Sequence, residues 1–342
     1  MSGGSVATDE RIRGAALALV AVLMAQALTA LIAAPFETSR ARRRLHHGNT
    51  ARADRPARGG TKVALVDPST AGAERPVERG VADHEKLQAY EGLGSWIDLY
   101  NRGPWRNPSW TVRRMAGRGV RTIYLQTATY GSPAPVVYPR KVAEFIASAH
   151  NRDMTVVGWS VPSFVTPEKD FLRARAGVLF ETGKGERFDS FAVDIEADIV
   201  KNISKRNKRL IDLSDRIRKV AGDDYPLGAI IPDPGHSLYW PGFPYEGVAE
   251  RYDVMVPMGY FTFRTRGYGN VRAYTAKNIR VIRREAGPQT PIHVIGGIAD
   301  DVGVPAARGF IRAVKDHDVL GASLYDFPIT TERTWRELSA LP

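Results

Sequence analysis

At 342 residues, 43% hydrophobic and 25% charged, the chain is long enough for one large folded domain with extensions or for two ordinary domains. It contains no cysteine, which excludes disulfides, thiol chemistry and cysteine-ligated metals. The net charge of +11 is concentrated: eight basic residues and one acid between Arg40 and Lys62 carry +7 of it. A basic tail of this kind fits anionic headgroups better than a nucleic-acid groove, and no zinc-finger, helix-turn-helix or RNP pattern is present.

Residues 1–13 form a short N-terminal tail. From Gly14 to Ala34 the chain runs 21 residues without a charge, with Gln26 as its only strongly polar member. That length predicts a transmembrane helix, with a cleaved signal peptide as the competing reading. Residues 35–88 are rich in Arg, Ala, Gly and Pro and read as a basic, disordered linker. The segment TKVALVDPS at 61–69 reads as a short strand or an extended lead-in to the domain.

Beyond the linker, eight apolar, strand-like runs alternate with helical patterns. They lie at 92–100, 120–131, 154–161, 188–198, 227–234, 253–261, 291–300 and 319–327. Alternating βα units imply a parallel sheet, and eight of them within residues 89–342 predict an α/β fold, a (β/α)8 TIM barrel. No GxGxxG follows the first run, so a dinucleotide site lacks its fingerprint.

The fourth run, FDSFAVDIEAD, alternates as a strand: Phe191, Val193 and Ile195 face one way, and Ala192, Asp194, Glu196 and Asp198 the other. In a barrel this sets Ser190 and Ala192 in the crowded interior and the two carboxylates Asp194 and Glu196 at the mouth. The alternative is a helix N-terminus, with Asp198 as its cap.

FDSFAVDIE resembles the strand-four motif of chitinase-like glycoside hydrolases of family 18, a hydrophobic residue followed by DGxDxDxE. Asp189, Asp194 and Glu196 fall on three of the four acidic positions; Ser190 replaces Gly and Ala192 replaces the middle Asp. PMGYF is similar to that family's strand-six MxYD, matching at Met258 and Tyr260, with Phe261 in place of the acid. Tyr325 stands where the family presents a strand-eight Trp. The resemblance implies Glu196 as the acid that protonates the leaving oxygen, Asp194 as the residue orienting the substrate's own acetamido group, and Tyr260 as its assistant.

Barrel geometry also gathers the polar and aromatic residues that end each strand: Trp96, Asp98, Gln126, Trp159, Asp233, His236, Asp300, Tyr325 and Asp326. An acidic, aromatic cup suits sugar rings, which offer apolar faces and hydroxyls. Trp96, Asp98, Gln126, Trp159, Met258, Tyr325 and Asp326 are the expected substrate-binding set. No cofactor is expected, and His236 and His293 lack HxH or HExxH partners for a metal. The expected partner is a polysaccharide, with no nucleic acid and with membrane contact through segment 14–34. The expected location is outside the cytoplasm, anchored or, after cleavage, secreted. Two rivals stand beside a hydrolase: a carbohydrate-binding barrel without turnover, and a cytoplasmic phosphosugar enzyme using IGGIAD as a phosphate loop.

Overall fold

The computed structural model describes residues 84–341 apart from residue 237. The expected membrane segment lies outside these residues, and among them no helix is long and apolar enough to cross a membrane.

The eight strands are β1 (Gly92–Ile97), β2 (Thr122–Thr129), β3 (Thr155–Val161), β4 (Ser190–Asp194), β5 (Leu227–Ile231), β6 (Val254–Pro257), β7 (His293–Ile298) and β8 (Gly321–Tyr325). All seven neighbouring pairs are parallel, in the order β6-β5-β4-β3-β2-β1-β8-β7. Two parallel bridges, Met255 with Ile292 and Met258 with Ile295, bring β6 to β7 and close the barrel. Every strand-like run of the sequence supplies one strand, each shorter than its run, and all but the third run continue past the strand into the mouth loop.

Outward side chains such as Ile123, Leu125, Phe191 and Val193 meet helical residues including Phe145, Leu210, Ile279 and Phe310 in one apolar layer. Inward side chains form a second: Trp96, Tyr124, Val157, Trp159, Ala192, Ile230, Val256, Met258 and Ile295. The two sets follow the period-two alternation of each strand. Some helices start at a side-chain cap. The side-chain oxygen of Asn107 accepts the N–H of Trp110 before Pro108–Ala116, and that of Asn202 accepts the N–H of Lys205 before Ile203–Ala221. Asp198 therefore caps nothing; its Oδ2 pairs with Lys201 at 2.7 Å, and the helix-terminus alternative for the acidic run falls away.

The chain leading into β1, a turn of helix at His84–Leu87 and a 3-10 turn at Gln88–Tyr90, plugs the barrel's floor. Leu87, Ala89 and Tyr90 are buried, and the Tyr90 hydroxyl lies 2.7 Å from Ser190 Oγ. A Cβ at Gly228 would come 2.3 Å from that hydroxyl, so β5 carries glycine where Tyr90 enters. Above it, a Cβ at Gly94 would come 2.5 Å from Tyr124, whose ring stacks on Trp96 with centroids 4.2 Å apart. Large rings thus fill the interior opposite strand glycines, a packing of unequal sizes that leaves a dense core.

Candidate active site

At the carboxyl end of β4 the backbone alternation delivers Ala192, Asp194 and Glu196 to the barrel axis in rising layers. Asp194 is 6% exposed, and its Oδ1 is buried without a hydrogen-bond partner. Glu196, two residues further up, is exposed in the mouth. Burial, then the charge of Glu196, push the Asp194 carboxyl well above the usual carboxylate range; desolvation by the surrounding walls raises Glu196 as well. Ala192 offers no polar atom to Asp194, whereas a third acid there could have shared its proton. The pair therefore holds protons to higher pH than free carboxyls do, which is the condition for donating one near neutrality.

Tyrosines surround this pair. Tyr260, just beyond β6, is half-buried, and its phenol is pushed far up by burial and then by the charges of Asp194 and Glu196. Its ring centroid is 6.3 Å from that of Tyr325, at the end of β8. Tyr325 donates to Asp98 Oδ2 at 2.8 Å, while Asp98 Oδ1 accepts the N–H groups of Tyr100 and Asn101 at 2.9 and 2.8 Å. Asp326, joined to Tyr325 by a cis peptide, is buried and raised by desolvation and then by Asp98. Across the mouth, Asp233 Oδ2 accepts from the Tyr274 hydroxyl and from Arg264 Nε, the latter at 3.4 Å.

Several expected lining residues sit deeper than the open cup. Trp96 is 1% exposed, fixed by the stack on Tyr124 and by its indole N–H donating to Ser323 Oγ at 2.9 Å. It precedes Asp98 by two residues on the inward face, which puts it one layer below the rim. Trp159 is buried edge-on to it at 5.6 Å, and Met258 packs in the same interior layer. Gln126 is buried too, with Oε1 accepting the N–H of Leu99 at 2.9 Å, so it braces the loop after β1 rather than facing the cup. Asp189 lies at the opposite end of β4, where Oδ2 accepts the Val156 N–H at 2.7 Å and lies 3.0 Å from His150 Nε2. It ties strand to helix, away from Asp194 and Glu196. Phe261, at the position of the family's acid, is buried against Phe310.

The glycines of IGGIAD lie within β7, not in a loop. A Cβ at Gly296 would meet Leu324 and Phe310 at 2.8 Å, and one at Gly297 would meet Thr262 at 2.8 Å. They serve close packing on both faces of the strand, and the phosphate-loop alternative loses its basis. His293 points into the floor, with Nδ1 2.8 Å from the Tyr90 carbonyl and Nε2 3.1 Å from Ser323 Oγ. Among the described residues no cluster of His, Asp or Glu could hold a metal ion.

Sequence reasoning missed three tyrosines of the mouth loops, Tyr100, Tyr130 and Tyr239, on whose phenols the charge of Glu196 acts. All three lie in loops past the strand ends, where no periodicity points to the axis. Their only signal is an aromatic residue shortly after a strand.

No family model matches the chain, and no curated protein matches it. Solved structures do. A GH5_18 protein from Streptomyces cattleya, solved in complex with GlcNAc, superposes with a TM-score of 0.57 at 13% identity, covering 73% of this chain and 79% of its own. The endo-beta-1,4-mannanase of Thermotoga petrophila gives 0.53 at 11%, covering 70% and 68%. A chitinase from Bacteroides thetaiotaomicron gives 0.52 at 10%, covering 73% and 94%. At these identities the likeness is one of fold, and the chain is a (β/α)8 barrel of the architecture these proteins share.

Proposed function

We propose that this protein is a glycoside hydrolase acting on a polysaccharide that contains N-acetylated amino sugars. The observation that carries the reading is the layered pair at the end of β4: buried Asp194 with an unpartnered oxygen, and Glu196 above it in the open mouth, both shifted toward retaining a proton. Glu196 protonates the leaving glycosidic oxygen. Asp194 orients the acetamido group, whose carbonyl oxygen attacks the anomeric carbon and displaces the protonated leaving sugar. Water then attacks the anomeric carbon of the resulting oxazolinium, passing its proton back to Glu196 and returning the acetamido group. Tyr260 donates a hydrogen bond to the acetamido oxygen. The motif resemblance to family 18 supports this reading, as does the fold shared with a chitinase and with a GlcNAc-bound barrel. On the same reading segment 14–34 anchors the barrel outside the cytoplasm, where such polymers lie.

The test is substrate choice. Reducing ends should be released from N-acetylglucosamine oligomers but not from their de-acetylated counterparts, because the nucleophile belongs to the substrate. Equal release from both would refute acetamido participation. Binding of the acetylated oligomers without release, over a wide pH range, would favour a binding barrel. The observation behind that second reading is Ala192, which leaves Asp194 without a proton-sharing neighbour.

A further inference from the structure

Two exposed tyrosines stand in loops that follow strand ends at the mouth. Tyr100 follows β1 and is 77% exposed; Tyr239 follows β5 and is 41% exposed. In the closed order of the sheet, β1 and β5 are four strands apart in both directions, so the two residues rise from opposite walls of the mouth. The charges of Glu196 and Asp194 act on both phenols, so both rings lie near the acid pair that β4 carries to the barrel axis.

Both backbones are anchored. The N–H of Tyr100 donates to buried Asp98. The carbonyl of Tyr239 accepts from Nη1 of Arg206 at 3.2 Å, and Arg206, 2% exposed, also donates Nε to the Val200 carbonyl at 2.9 Å. One guanidinium thereby ties the loop that follows Glu196 to the loop that carries Tyr239. It also lies 4.4 Å over the ring of Trp240, whose indole N–H donates to Asn207 Oδ1 at 2.7 Å, and Asn207 Nδ2 donates to the Gly242 carbonyl. A buried cation, a cation–π contact and two side-chain hydrogen bonds fix a loop whose Tyr239 ring remains exposed. Rigid backbone under a solvent-facing ring is the arrangement that lowers the entropic cost of stacking on a ligand.

We propose that Tyr100 and Tyr239 are two sugar-contacting walls straddling Glu196, so that the site takes an internal segment of a glycan chain and cleaves it endo-fashion, with Arg206 as the positioning residue for Tyr239. This rests on the hydrolase reading. A site built for a chain end would close one wall; here both carry an open aromatic.

The experiment measures binding of N-acetylglucosamine oligomers of one to six sugars by calorimetry, using the Glu196→Gln protein so that no turnover intrudes. Affinity should keep rising beyond two sugars. Tyr100→Ala and Tyr239→Ala should each weaken the hexamer by about tenfold, the scale of a lost aromatic contact. Arg206→Lys should weaken it too, but add nothing in a Tyr239→Ala background, which a general loss of stability would not reproduce. Affinity that levels off at one or two sugars, or wild-type hexamer binding by both alanine variants, overturns the straddling cleft while leaving a glycan site in place. Absence of binding by every oligomer overturns the hydrolase reading and this inference together.

Discussion

Tyr325 donates its hydroxyl proton to Asp98 Oδ2 across 2.8 Å, tying the last strand of the barrel to the first at the rim of the cup. The same carboxylate holds two backbone N–H groups of the loop that carries Tyr100. One buried acid therefore orders a strand end and a mouth loop together.

Tyr325→Phe removes the donor and leaves a buried carboxylate oxygen unpaired, at a cost of about 1 to 3 kcal/mol in urea unfolding. Asp98→Asn should cost less, since its amide can donate to the tyrosine oxygen while its carbonyl still accepts the backbone N–H groups. The reverse order would mean that the Asp98–Tyr325 bond contributes little.

The floor of the barrel makes stability pH-dependent. Burial pushes the His293 imidazole down to about 4 from an ordinary 6.5. Below pH 6.5 the unfolded chain takes up a proton that the native one refuses, so stability falls as pH drops from 6.5 to about 4, by about 3 kcal/mol in all. Nuclear magnetic resonance of the imidazole in the folded protein checks this directly: titration near 6.5 would contradict it.

Asp194 works in the opposite sense. Its folded pKa lies above the unfolded one, so the penalty is absent below the unfolded value near 3.8 and grows as pH rises toward the folded value. Asp194→Asn should therefore raise the melting temperature at pH 8, with the gain shrinking toward pH 4, while turnover falls. A variant less stable than wild type at pH 8 would show that the carboxylate is compensated in the folded site. Stabilisation on removing a residue that acts in turnover is the usual trade-off at an active site.

All eight strands were legible because each is an apolar, β-rich run bounded by turns and followed by a helical period. The position of Asp194 and Glu196 on one inward face followed from alternation alone. Depth was not legible. Trp96 and Gln126 share that face, yet a shift of two residues along a strand moves a side chain a full layer, from the rim into packed core. Nor did sequence separate Asp189 from Asp194, since both belong to one acidic run while lying at opposite ends of β4. Tyr239 was invisible because its place depends on Arg206 and Asn207, more than thirty residues away, holding its loop.

Topology follows from the proposed site of action. Protease added to intact cells should digest the barrel. Complete protection until lysis would put the domain on the cytoplasmic side and remove an exterior polysaccharide as its substrate.

In the proposed reaction Glu196 is the proton donor. Glu196→Gln keeps the side chain's shape and hydrogen bonding but removes the transferable proton, so hydrolysis of N-acetylglucosamine oligomers should fall roughly 10²- to 10⁴-fold, the usual worth of a general acid, while binding survives. Tyr260→Phe should lose far less, in keeping with a single hydrogen bond of about 0.5 to 1.5 kcal/mol. A Glu196→Gln protein that hydrolyses the oligomers at the wild-type rate would mean that the chemistry lies elsewhere than at the end of β4.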